Sequence, residues 1–156
     1  MTTLFVTHDQ EEAAALSDRV AVLLDGRIAH DSTPQDLYER PASLPVARFL
    51  GTANLVPGIV RDGAWAGPLG RVPTAAPDGQ GRGAVRQESL LVDLDADADG
   101  LPAIVTDARY RGTAWELDLQ LGRTVLHAVT PPTLKAAPGD LVRVVLPPGH
   151  GHVLPG

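Results

Sequence analysis

From about Asn54 onward the sequence sustains no helical period, and glycine and proline break it into short apolar runs about eight to twelve residues apart. That rhythm restricts most of the chain to an all-β unit. The clearest strand is Ala114 to Leu121, where Trp115, Leu117, Leu119 and Leu121 alternate with Glu116, Asp118 and Gln120. A period of two puts one face in a core and the other in water. Further strands are predicted over Leu55 to Val60, Ala84 to Arg86, Leu90 to Leu94, Pro102 to Arg111, Thr124 to Ala128, Leu141 to Leu146 and His152 to Leu154. Arg111-Gly112-Thr113 and Gly122-Arg123 read as hairpin turns, so three strands in succession should form a meander. Gly67 to Gly83, with three prolines and Asp78-Gly79-Gln80-Gly81, reads as a loose hairpin followed by an exposed loop.

The first fifty residues follow different rules. Leu4-Phe5-Val6 is an uninterrupted apolar run of the kind found in strands covered on both faces. Asp9, with Glu12 three residues on and Ala13-Ala14-Ala15-Leu16 behind it, marks a helix start. His8 falls in the turn between the two. In open α/β sheets this edge receives ligands, and helix N–H groups there favour anions. Val20 to Leu24, Asp25-Gly26 and Arg27 to His30 read as a hairpin on a type I′ turn. Thr33-Pro34 and Ser43-Leu44-Pro45 open two short helices, the second ending at Gly51 with Val46, Phe49 and Leu50 on one face.

Thr7-His8-Asp9-Gln10-Glu11-Glu12-Ala13, followed by Ser17 to Ile28, resembles the end of the nucleotide-binding domain of an ABC transporter ATPase. The resemblance implies that His8 is the switch histidine, which contacts the γ-phosphate of ATP and helps position the attacking water. Asp31 to Leu50, with Asn54 following, is similar to the segment that closes that domain in importer ATPases for ferric iron, polyamines and related solutes. The sequence contains no Gly-x-x-x-x-Gly-Lys-[Ser/Thr], no LSGGQ-like signature and no apolar strand ending in Asp-Glu, and its one lysine is Lys135. In that family these parts precede the switch histidine. The expectation is therefore the carboxyl-terminal part of such a subunit, with ATP and Mg2+ bound only in the complete subunit and no hydrolysis by this chain alone.

Val85-Arg86-Gln87-Glu88-Ser89-Leu90 resembles the entry to the TOBE domain, an OB-like barrel appended to many importer ATPases, with Gln87 where proline is usual. Gly112-Thr113 and Ala137-Pro138-Gly139-Asp140-Leu141-Val142 fit its later part. The fold class expected is α+β: residues 1–53 as the tail of an α/β P-loop ATPase domain and residues 54–156 as an all-β OB-like barrel. The resemblance implies a second ATPase subunit as homodimer partner, a transmembrane permease, and a cytoplasmic place at the inner face of the membrane. The alternative is a stand-alone TOBE-like module binding a small oxyanion or sugar.

Composition removes other classes. Cysteine is absent, which excludes disulfides and thiolate metal sites. No apolar run approaches the roughly 18 residues that span a bilayer, so direct membrane insertion is not expected. A formal net charge of −6 and only two Trp, two Tyr and two Phe oppose single-stranded nucleic-acid binding, which needs stacking aromatics in a basic groove. Asp93, Asp95, Asp97 and Asp99 partly mimic a calcium loop, but the glutamate expected beyond Gly100 is missing, and a solvated acidic turn is the reading adopted. His150 and His152 have no third ligand at useful spacing, with His127 distant, so no metal site is expected. Arg86 and Glu88 read as a structural ion pair or an exposed face. Ser17, Ser32, Ser43 and Ser89 have cap or turn roles, with no nucleophile elbow among them.

Overall fold

The computed structural model describes residues 2–51 and 53–155. Two compact units divide it, Met1–Gly51 and Thr52–Gly156, and each encloses its own apolar cluster.

The first unit runs α1 (Gln10–Leu16), β1 (Val20–Leu24), β2 (Arg27–Ser32), α2 (Pro34–Glu39) and α3 (Leu44–Leu50). The β1–β2 hairpin closes over Asp25 and Gly26, whose φ values of 49° and 73° are the positive pair a type I′ turn requires. Thr33 and Ser43 cap α2 and α3 through their hydroxyls, which accept from the Asp36 and Val46 N–H groups. Val22, Leu37, Val46 and Leu50 form the small core.

Two expectations fail in this unit. Leu4-Phe5-Val6 is not a strand: Leu4 is 92% and Val6 95% exposed. An apolar strand needs a neighbour to take its N–H and C=O groups, and β1 and β2 pair only with each other. Phe49 is half exposed at 50%, and Ala47 joins Val46 and Leu50 inside, so the buried stripe of α3 is turned toward Ala47 and away from Phe49.

The second unit consists of β3 (Ala53–Arg61), β4 (Ala64–Gly67), β5 (Gly70–Pro73), β6 (Gly79–Arg86), β7 (Leu91–Asp93), β8 (Leu101–Tyr110), β9 (Trp115–Leu121), β10 (Thr124–Thr130), β11 (Leu141–Val145) and β12 (Gly151–Pro155). They build two antiparallel five-stranded sheets, in the orders β12-β6-β3-β4-β5 and β10-β9-β8-β11-β7. β12 lies against β5 and β10 against β7, so each sheet curls into a half-barrel. The β8-β9-β10 meander forms as the sequence predicts, with Leu119 paired to both Leu126 and Val105. Leu117, Leu119, Leu126, Val105, Val142 and Val144 fill the interior from one sheet, and Val56, Val60, Val85 and Val153 from the other.

The expected hairpin forms between β4 and β5, but the loop expected after it is in large part strand: β6 begins at Gly79, well before the predicted Ala84, and pairs along its length with β3. The cause is Trp65. Its indole is fully buried and lies over glycines: a Cβ on Gly58 would stand 2.3 Å from Trp65 Nε1, one on Gly67 2.3 Å from Cζ2, and one on Gly83 3.0 Å from the six-membered ring. Glycine weakens a strand considered alone, but here it makes the floor on which the largest core side chain rests.

Candidate functional site

His8 occupies the bend immediately before α1 and is exposed. The residues around it hold the bend in place. Asp9 caps α1, its Oδ1 accepting from the Glu11 and Glu12 N–H groups at 2.9 and 3.0 Å. Glu12 does not complete a capping box by returning to the cap N–H. Thr7 intervenes: its Oγ1 accepts from the Asp9 N–H at 3.0 Å and donates to Glu12 Oε2 at 2.7 Å. The result is a hydrogen-bonded Thr7–Asp9–Glu12 clasp, with the His8 imidazole making no protein hydrogen bond among the described residues. Gln10 Nε2 donates to the Phe49 carbonyl at 3.1 Å and ties the start of α1 to the end of α3. His8 lies on the rim of an open groove of about 600 Å³, whose walls include Leu4, Phe5, Ala14, Leu23 and Phe49.

The other sequence candidates are not assembled into a site. Asp93 and Asp95 spend carboxylate oxygens on the N–H groups of Asp95 and Asp97 at 2.9 and 3.0 Å. Arg143 closes that turn from β11, donating to the Ala96 carbonyl at 2.7 Å. Among the described residues no group of three or more His, Asp or Glu side chains could hold a metal ion. Arg86 is buried. His150 Nδ1 faces the Pro148 carbonyl at 3.2 Å.

Sequence reasoning did not anticipate the polar chain on the outer face of the meander. His127 Nδ1 meets Asp118 Oδ1 at 2.7 Å, Arg109 donates to Asp118 Oδ2 at 2.9 Å, and Arg109 Nε lies 3.4 Å from Asp107. Cross-strand register explains it, since His127 pairs with Asp118 and Asp118 with Asp107 across β10, β9 and β8. Two carboxylates directly opposite would repel, and Arg109, a diagonal neighbour of Asp118, bridges Asp118 and Asp107. The signal was available in the alternation of β9, which sends Asp118 outward.

Comparison with known proteins places the second unit. The TOBE domain family matches from Gly83 in β6 to Leu154 in β12. Residues 83–154 are a TOBE domain. The TOBE segment omits β3, β4 and β5, which nevertheless belong to the same compact unit.

Similarity extends well beyond the TOBE domain. The Fe(3+) ions import ATP-binding protein FbpC of Streptomyces coelicolor is 44% identical over 140 residues, covering 88% of this chain and 39% of the relative. The sulfate/thiosulfate import ATP-binding protein CysA of Xanthomonas campestris is 38% identical over 156 residues, covering all of this chain and 41% of the relative. The spermidine/putrescine import ATP-binding protein PotA of Methylococcus capsulatus is 38% identical, covering 99% of this chain and 45% of the relative. The chain thus spans about two fifths of the length of these curated relatives, and it matches the carboxyl-terminal part of ABC importer ATP-binding subunits. Because the match includes the residues before the barrel, a stand-alone ligand-binding module is not favoured. Among solved structures, the cytoplasmic molybdate-binding protein ModG superposes with a TM-score of 0.55 at 15% identity, over 65% of this chain and 96% of that one, which is a likeness of fold.

Proposed function

We propose that this chain acts as the carboxyl-terminal portion of the ATP-binding subunit of an ABC importer, with His8 as the switch histidine and the barrel as a regulatory domain. The observation that carries the reading is the match to importer subunits for three different solutes, over 88% to all of the chain. In the complete subunit the His8 ring would meet the γ-phosphate of ATP, and the Thr7–Asp9–Glu12 clasp would fix the bend from which the ring projects. The triphosphate and its Mg2+ would be gripped elsewhere, since the chain lacks the glycine-rich loop whose N–H groups and lysine cradle phosphates.

Its partners are then a second ATP-binding subunit and a membrane permease. No helix among the described residues is long and apolar enough to cross a membrane, and the reading puts the subunit on the cytoplasmic face, held there by the permease. The apolar groove beside His8 is, in the same reading, the seat of the remaining nucleotide-binding domain, with Leu4-Phe5-Val6 as the strand that joins its sheet.

A chimera tests the proposal. The carboxyl-terminal part of the Streptomyces coelicolor import subunit is replaced by this chain, and ATP hydrolysis is measured with and without His8→Ala. The chimera should hydrolyse ATP, and the substitution should lower turnover about 10²-fold or more, the scale of removing one group that stabilises developing charge. Unchanged turnover in the His8→Ala chimera would remove His8 from the reaction.

A further inference from the structure

We draw no further inference here: the strongest candidate, the row of Val125, Ile104 and Leu141 that stands exposed across β10, β8 and β11 on the outer face of the second sheet, is an unpartnered apolar sheet face, and nothing in the structure shows what covers it.

Discussion

The side chain of Asn54 on β3 grips the backbone of His127 on β10, accepting its N–H at Oδ1 over 2.7 Å and donating from Nδ2 to its carbonyl over 2.8 Å. β10 is the last strand of its sheet, so these groups belong to a free edge. One carboxamide therefore supplies what a neighbouring strand would, and it does so from the opposite sheet. Nδ2 also reaches the Val85 carbonyl at 3.3 Å. Asn54→Ala strips the partners from a part-buried edge and should destabilise the barrel by about 1–3 kcal/mol, because orphaned groups cost more than a bond gains. Urea unfolding followed by tryptophan emission measures it; a loss below about 0.5 kcal/mol would mean that water replaces the amide freely.

Gly58→Ala sets a methyl 2.3 Å from Trp65 Nε1 and 2.5 Å from the Ala66 carbonyl, so the indole or the strand must move. Overpacking of this kind costs about 1–3 kcal/mol. Gly151→Ala is the comparison, since its nearest neighbour is the Val72 Cγ2 methyl at 3.3 Å. The first variant should lower the unfolding midpoint much more than the second and alter the near-ultraviolet signal of Trp65. Equal midpoints would show that the glycine floor is not what seats the ring.

Arg111 and Glu116 are bonded at 2.9 Å near the β8–β9 turn, and the hydrogen bond, followed by the charge of Glu116, raises the guanidinium above the ordinary arginine value. A group whose folded value is raised contributes stability that is complete below its unfolded value and is lost only as pH climbs past the folded one. For arginine that window lies in strong alkali. The stability change caused by Arg111→Gln should accordingly be the same at pH 6 and pH 9, as read by thermal melting in matched ionic strength. A difference that grows across this range would assign the effect to another titrating group.

These contacts mark where sequence reading succeeds and where it stops. Asp25-Gly26, Thr33-Pro34 and Ser43 were legible because a turn or a cap is decided by a few neighbouring residues, and the Trp115–Leu121 alternation because a half-buried strand repeats its own environment. Only the end of β6, Ala84 to Arg86, was legible: Gly79, Gly81 and Gly83 announce a loop until β3 pairs with them and the Trp65 ring packs on Gly83. The Asn54–His127 grip spans 73 residues and leaves no local trace. Leu4-Phe5-Val6 has the composition of a buried strand, yet composition does not provide the neighbour that makes it one. His8 was legible as a residue in the bend that opens α1, whereas the Thr7 relay that fixes the bend has no pattern of its own in the sequence.

Leu4 and Val6 stand in water beside an apolar groove, so the chain by itself should self-associate or exchange segments. Light scattering across a concentration series should report species larger than the monomer, and the paired change Leu4→Ser with Val6→Lys should reduce them. A sharp monomer peak with the amides of residues 2–9 protected from hydrogen exchange would contradict the expectation.

With no phosphate loop, the chain alone should give no saturable heat when titrated with Mg-ATP, even though His8 is open to solvent. A lone imidazole offers one donor to a triphosphate that binding loops surround with many. Saturable binding abolished by His8→Ala would require a phosphate grip from residues in this chain and would overturn the division of labour proposed above.

The barrel should fold without the first unit. Its core cluster runs from Val56 to Val153 and takes no residue from before β3, while Val22, Leu37, Val46 and Leu50 close a separate one. Trp65 and Trp115 both belong to the barrel, so tryptophan emission reports on it selectively in either chain. Residues 52–156 expressed alone should show one cooperative urea transition, with a slope scaled to the smaller buried surface and a midpoint near that of the full chain. A broad, non-cooperative transition in the fragment would mean that the first unit supplies stability the barrel cannot generate, and the boundary proposed at residue 53 would have to move toward the amino terminus.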